Sequence, residues 1–390
     1  MKKKKLLIVA QHLTIGGAQK SLLAALKVLD YEKFDVTLYL RKNRTDLLSC
    51  VDERVNVIIN DDKSHYYRKP YAVLLQGLSA FWKVIGEKEK AEKYNNKLKN
   101  AIVNYSMEYE KKHFFSSEKY DIAIAYVHGY PALFVAECVN AEKKYVFFHT
   151  SVDELHDMHK KILSKFTGVL AEHDLQKDLL EEWYSIPPEK IHIIENYVDR
   201  ELILLQSKSE FIEVPEDKII LCYCGRIASV KGFDLAVKAA KILKDNNVPF
   251  LWLFVGDGPD REKVEQLIKK YNLEEDIVIT GMKKNPYPYI AASHIYVQSS
   301  YEENTGITIL EAHRLDKPVV STKTVGGKKL VKHQENGLLA EINELSLAEN
   351  IIALINDKQL MASISKNLKS ENYSDEFERH KLSWQKLLEE

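Results

Sequence analysis

Four cysteines in 390 residues, Cys50, Cys138, Cys222 and Cys224, are too few and too irregularly spaced for a disulfide framework or a thiolate metal site. Cys222 and Cys224 lie two apart in an apolar run, on one side of a strand, and read as reduced structural thiols. Long hydrophobic runs are also missing. Ile219 to Cys222 and Phe250 to Val255 fall far short of the ~20 residues that cross a bilayer, so no membrane span is expected. Lys2 to Lys5 look like the charged start of a secretory leader, but only Leu6 to Ala10 follow before Gln11 and His12, which predicts a cytoplasmic protein. Finally, no sign of charge dominates: 56 Lys and Arg stand against 57 Asp and Glu, a net charge of −1. That balance removes any general electrostatic reason to bind nucleic acid.

What is present is a 45% hydrophobic chain, long enough for two cores rather than one. Short apolar runs alternate with helical stretches, the pattern of parallel strands joined by crossover helices, so the class is α/β. Strands are expected at Lys5–Ala10, Asp35–Leu40, Val55–Ile59, Asp121–Tyr126, Lys144–Phe148, Gly168–Ala171 and Ile191–Ile194, with a helix at Ala18–Leu29. After a mixed stretch from Glu201 to Asp217 the alternation restarts, with strands at Lys218–Cys224, Phe250–Val255, Asp276–Ile279, His294–Val297 and Pro318–Ser321. Helices fit Leu235–Leu243, Arg261–Tyr271 and Thr308–Leu315. The expectation is two Rossmann-like doubly wound domains, 1–200 and 217–372, with a linker at 201–216 and a terminal segment at 373–390.

The segment 60–119 has no convincing strand and is too long for an unstructured loop, so a helical insertion is expected. Leu74, Leu75, Leu78, Phe81, Trp82 and Ile85 recur at helical spacing, and from Lys63 to Lys119 there are 12 basic and 6 acidic residues. Two readings follow. The stripe packs on the first domain, or the basic amphipathic helices lie on an anionic membrane surface.

Three segments carry chemistry. The first strand runs into Gln11-His12-Leu13-Thr14-Ile15-Gly16-Gly17-Ala18-Gln19, a strand-to-helix turn whose glycines admit a ligand and whose helix start favours an anion. It is not G-x-G-x-x-G, which disfavours a dehydrogenase. The second is Gly225-Arg226-Ile227-Ala228-Ser229-Val230-Lys231-Gly232, past the carboxyl end of a strand, where Arg226 can grip phosphate oxygens and Lys231 adds a movable charge. The third runs Ser299 to Ala312 and holds Glu303 and Glu311. Eight helical residues rise ~12 Å, so these carboxylates serve different parts of one long ligand. Glu303 suits a sugar ring and Glu311 a ribose, while the amides of Asn304, Thr305, Gly306 and Ile307 form a helix start facing a diphosphate. A nucleotide sugar meets all three requirements.

These segments, with the Gly256-Asp257-Gly258-Pro259 turn, the Gly281–Tyr289 stretch holding Asn285-Pro286-Tyr287, the strand Pro318-Val319-Val320-Ser321-Thr322 and Asn196-Tyr197-Val198-Asp199, resemble the family 4 retaining glycosyltransferases of GT-B fold. The resemblance covers nearly the whole chain and is strongest from Lys218 to Ala340. It implies two domains facing across a cleft, an acceptor domain at 1–200, a donor domain at 217–372, and a helix in 373–390 returning to the first domain. It further implies that Arg226 and Lys231 bind the donor diphosphate, aided by the Gly16 and Gly17 amides, that Glu311 binds the ribose, and that Glu303 acts at the transferred sugar. His149, in Phe147-Phe148-His149-Thr150, matches a histidine the family places by that sugar, and His128 is the candidate for acceptor contact. The sequence departs from the family at Asn304-Thr305, where a small-aromatic pair is usual.

The reaction expected is transfer of a sugar, with retention, from a nucleoside diphosphate sugar, uridine first, to a glycan or lipid-linked acceptor in cell-surface polysaccharide synthesis. No Asp-x-Asp pair occurs in the second domain, so neither metal nor cofactor is expected, and Arg226, Lys231 and the helix start carry the leaving charge instead. Expected partners are the donor, the acceptor and an anionic membrane surface at the inner face of the cell membrane. Two other classes stand beside this one: a non-catalytic GT-B partner of another transferase, and a pyridoxal-dependent phosphorylase.

Overall fold

The computed structural model describes residues 2–14, 16–60, 70–115, 117–149 and 162–390. The chain divides into two units, one of residues 1–195 with 381–390, the other of residues 196–380.

The first unit is built on seven parallel strands: β1 (Lys4–Ala10), β2 (Phe34–Leu40), β3 (Asn56–Ile59), β4 (Tyr120–Ala125), β5 (Ala141–Phe147), β6 (Gly168–Ala171) and β7 (Ile191–Ile193). Their order is β3-β2-β1-β4-β5-β6-β7. The sheet is covered on both faces, which is why its central strands read as unbroken apolar runs: Leu6, Leu7, Ile8 and Val9 are wholly buried. Only β5 departs much from the sequence reading. It starts at Ala141 rather than Lys144, because pairing with β4, Tyr120 opposite Ala141, extends a polar stretch that no hydrophobic signal marks.

The second unit holds β8 (Ile219–Cys224), β9 (Phe250–Val255), β10 (Ile277–Gly281), β11 (Ile295–Gln298), β12 (Val319–Thr322) and β13 (Gly337–Ala340), in the order β10-β9-β8-β11-β12-β13, again parallel. Strand β13 is absent from the sequence reading. Its four residues begin with glycine, and it exists through its ladder to β12, from Val319 opposite Gly337 to Thr322 opposite Ala340. Cys222 and Cys224 are both buried thiols, their sulfurs 3.6 Å apart.

The stretch 201–216 differs from the linker expected of it. A helix at Arg200–Ser207 starts there, with Asp199 Oδ1 accepting from the Leu202 amide at 3.2 Å, and Ile203 enters the second core at 2% exposure. The division between units falls earlier, at Glu195 and Asn196. The C-terminal helix Ser374–Glu389 spans the second crossing, its residues from Lys381 onward belonging to the first unit, where Trp384 is buried beside Tyr126 and Phe147.

The insertion is a pair of helices, Pro70–Val84 and Lys88–Phe114, while 61–69 and 116 lie outside the described residues. The second helix is anchored by a buried ion pair. Glu110, 1% exposed, accepts from Arg41 Nε and Tyr130 Oη, each at 3.1 Å, and the Arg41 guanidinium lies 3.2 Å above the Tyr130 ring. Burial pushes the Glu110 carboxyl above its ordinary pKa, opposed by Arg41. The apolar stripe packs only in part. Leu75 is buried against Leu98, Tyr94, Ala101, Ile102 and Tyr105, whereas Leu74, Phe81 and Ile85 face outward.

Removing one partner of a buried pair leaves the other charge uncompensated, so Glu110→Ala is expected to cost about 3 kcal/mol of unfolding free energy. A denaturant midpoint unchanged from wild type would contradict this anchoring role.

Candidate active site

Strand order decides where the motifs meet. β8 and β11 are neighbours, Leu221 opposite Ile295 and Cys222 opposite Tyr296, although Cys224 and Ile295 are 71 positions apart in the chain. From this pair the sheet is built outward in both directions, the switch point at which open α/β sheets bind ligands beyond their strand ends. The segments leaving β8 and β11 are Gly225–Gly232 and Ser299–Gly306.

The two segments are tied backbone to backbone. Val230 O accepts from the amides of Tyr301 and Glu302 at 2.9 and 3.2 Å. Tyr223, fully buried, donates to Lys231 O at 2.6 Å and lies 3.0 Å from Ser300 Oγ. Gly232 turns the chain at φ +62°, and a Cβ there would sit 2.0 Å from Ser299 O, so only glycine allows this approach.

Side chains then converge on Glu303. Its Oε2 accepts from Lys231 Nζ at 2.7 Å and from Gln298 Nε2 at 2.8 Å, and its Oε1 lies 3.3 Å from the Gly306 amide. Gly306, at φ +67°, opens the helix Ile307–Arg314, so this amide is part of the positive helix end. The Lys231 and Glu303 side chains are 27% and 14% exposed, reachable yet poorly hydrated. Gln298, 1% exposed, is held in turn by Thr308 Oγ1 at 3.2 Å. Arg226 is exposed beside this cluster in sequence, on a loop held by Ile227 N to Asp257 O at 3.0 Å.

Against this geometry, residues 206–371 match the family model described as "Glycosyl transferases group 1". Residues 206–371 thus resemble a group 1 glycosyltransferase domain. Relatives include the lipopolysaccharide core biosynthesis glycosyltransferase LpsD of Rhizobium meliloti, 29% identical over 155 residues, 40% of this chain and 44% of that one. The N-acetyl-alpha-D-glucosaminyl L-malate synthase of Bacillus anthracis is 26% identical over 202 residues, 50% of this chain and 52% of that one. The chain thus spans about half the length of the curated relatives it matches. Among solved structures, HepE of Anabaena in complex with UDP and glucose aligns over 99% of this chain and 98% of its own, with TM-score 0.70 and 18% identity. The fold is that of the GT-B glycosyltransferases.

Within the matched stretch the structure unites Lys231, Glu303 and Gly306, with Asn304, Thr305 and Ile307 along the same helix start. Glu311 stands apart from them. It is wholly buried one helical turn from the domain's Arg314, and its Oε1 accepts from Tyr287 Oη at 3.0 Å. The remaining candidates belong to the first unit. Gly16 precedes the helix Gly17–Val28 in ordinary extended geometry and its carbonyl accepts from the Lys20 amide. His128 stacks on Phe148. His149 packs against Phe147 and Tyr126, and its Nδ1 lies 2.7 Å from Glu172 Oε1, the side chains 4% and 2% exposed. An ionised carboxylate only accepts, so beside an ionised Glu172 the Nδ1 carries the proton, and Nε2 is a buried acceptor with no hydrogen-bond partner among the described residues.

Gln298, Tyr223 and Glu172 were not among the residues singled out from sequence. Each is a polar group at or near the carboxyl end of a buried strand, and that position was the available signal.

The helix bearing Glu311 also holds His313, 4% exposed, whose pKa is pushed down to about 3 by burial and then by Arg314. The unfolded chain binds a proton below about pH 6.5 where the folded one does not, so stability falls with pH from there by about 1.4 kcal/mol per unit. Between pH 7 and pH 5 wild type should lose about 2 kcal/mol more than His313→Gln, read from denaturant midpoints. Equal losses would place the pH dependence elsewhere.

Proposed function

We propose that the protein is a retaining, metal-independent glycosyltransferase that moves a sugar from a nucleoside diphosphate sugar, UDP-sugar first, to a glycan or lipid-linked acceptor. The observation that carries this reading is the convergence of Lys231, Gln298 and the Gly306 amide on Glu303, inside the stretch that matches the group 1 family. A cation and a helix start at one spot suit the charge that grows on a departing diphosphate. Arg226 adds a second cation, and in this reading no metal is needed. Glu303 supplies the acceptor oxygens for the hydroxyls of the transferred sugar, Glu311 those for the ribose, and Gly16 and Gly17 bring further amides to the phosphates. The acceptor attacks on the face the diphosphate leaves, and the leaving phosphate takes its proton. His149, oriented by Glu172, offers Nε2 to the sugar, and His128 is the acceptor contact.

UDP as the carrier is supported by HepE, a structure holding UDP and glucose. A role in cell-surface glycan synthesis is supported by the name of LpsD. An acceptor of that kind is held at the inner face of the cell membrane, which makes an anionic membrane surface the third partner. Among the described residues no helix is long and apolar enough to cross a membrane.

Thermal-shift screening across uridine, guanosine, adenosine and thymidine diphosphate sugars should give a selective rise in melting temperature with a uridine compound. A rise with another base alone would reassign the donor. Glu303→Ala and Lys231→Ala should each lower transfer by at least about a hundredfold while still unfolding in one cooperative transition above the assay temperature. Wild-type turnover by either variant would remove the site assignment. If the wild type bound no donor and neither transferred nor hydrolysed one, the non-catalytic GT-B partner would be the surviving reading, a class suggested by Asn304-Thr305.

A further inference from the structure

The helix Pro70–Val84 is apolar on two faces. Toward its neighbour Lys88–Phe114 it turns Leu75, Ser79 and Trp82, with Leu75 buried and Ser79 Oγ bonded to Ala91 O at 3.1 Å. Away from that neighbour it presents Val73, Leu74, Phe81, Val84 and, just past its end, Ile85. Val84 is 85% exposed and the others between 51% and 57%. Residues 73, 77, 81 and 84 follow one line along the helix, and 74, 81 and 85 run beside it, so the five form one contiguous stripe. Gly77, between Val73 and Phe81, leaves the backbone itself open, with nothing within 4 Å of where its Cβ would be. Scattered exposed apolar residues need no explanation, but five on one helix face call for a partner.

The charges around the stripe say which. From Arg68 to Gly86 the sequence has three basic residues, Arg68, Lys69 and Lys83, and no acidic one. Arg68 and Lys69 lie outside the described residues. Just beyond the stripe the exposed Lys88, Lys90 and Lys93 alternate with the exposed Glu87, Glu89 and Glu92; Lys90 pairs with Glu87 at 3.7 Å and lies 4.4 Å from the Trp82 ring centre, while Lys83, Lys88 and Lys93 are exposed and form no ion pair among the described residues. An apolar strip bordered by long cationic side chains and free of carboxylates along its own length fits a lipid interface, where acyl chains take the strip and anionic headgroups take the ammonium groups. It fits a protein surface less well, since nothing polar on the strip would fix a partner's register.

We propose that the outward face of the helix Pro70–Val84 docks on an anionic phospholipid surface, inserting Val73, Leu74, Phe81, Val84 and Ile85 between headgroups while Lys83, Lys88 and Lys93 meet the phosphates. The neighbouring helix, pinned by Glu110 and Arg41, transmits that attachment to the first unit. The inference adds the lipid-facing residues to the transferase reading, and its purpose, holding the enzyme beside a membrane-held acceptor, rests on that reading. Its test does not, because vesicle binding needs no donor.

The full chain is sedimented with phosphatidylcholine vesicles containing or lacking one third phosphatidylglycerol. Wild type should bind the anionic vesicles and bind less as salt is raised. Phe81→Asp with Val84→Asp should lower partitioning at least about tenfold. Both side chains are exposed, so this variant should keep the wild-type melting temperature and the wild-type donor-induced shift. Changing Lys83, Lys88 and Lys93 to Glu should abolish the preference for anionic over neutral vesicles. Equal sedimentation of wild type and the Asp variant, or no binding by wild type, overturns the proposal. So does a concentration-dependent dimer, seen by ultracentrifugation without vesicle binding and dispersed by the Asp variant, which would make the face an interface between copies. Loss of the donor shift in every protein with vesicle binding intact would instead refute the transferase reading and leave the docking surface standing.

Discussion

The second unit depends on one adjacency, the parallel pairing of β8 with β11. Parallel neighbours cannot be joined by a tight turn, so the chain must leave, build β9 and β10 on one side, and return. That detour opens a crevice beyond the two strand ends and places the loops after Cys224 and Gln298 side by side. Everything at the candidate site inherits this geometry. The Val230 carbonyl can bind two amides of the opposite loop only because the strands are in contact, and Gly232 can pass Ser299 only because it has no side chain.

Within that frame the site is an exercise in balanced charge. Glu303 is mostly screened from water, and a lone carboxylate there would be costly. An ammonium, an amide side chain and a helix-start amide compensate it, each arriving from a different element. The same three donors form an anion-seeking constellation in their own right. In the proposed function a ligand's phosphates would compete with Glu303 for these donors, because each partner satisfies the donors the other would leave bare. Gln298 makes the arrangement stiff, since its carbonyl is held by Thr308 while its amide holds Glu303.

The first unit applies the opposite logic to its insertion. Arg41, Glu110 and Tyr130 form a buried polar knot that specifies where one helix sits, at a desolvation cost that an apolar contact would avoid. The helix beyond it keeps apolar side chains in water. Anchoring at one end and leaving a sticky face at the other is coherent if the insertion mediates attachment, and wasteful if it only fills space.

Strand positions, the α/β class and the motif residues could be read from the chain because they are local: an apolar run or a Gly-Arg-x-x-x-x-Lys spacing carries its meaning within a few residues. Lys231 and Glu303 were legible as candidates for the same reason. Their ion pair was not, nor was Glu172 as the residue that holds His149, because these contacts join segments 72 and 23 positions apart; Gln298 lies only five positions before Glu303, and it is the turn between them that brings its amide onto the carboxylate. β13 and the early start of β5 were invisible for a related cause: short, polar or glycine-led stretches become strands only when a neighbour supplies the ladder. The amphipathic stripe of 74–85 marks the clearest division. Periodicity showed that the helix has an apolar face, but only packing decides how much of that face is covered, and here it leaves Phe81, Val84 and Ile85 exposed to solvent.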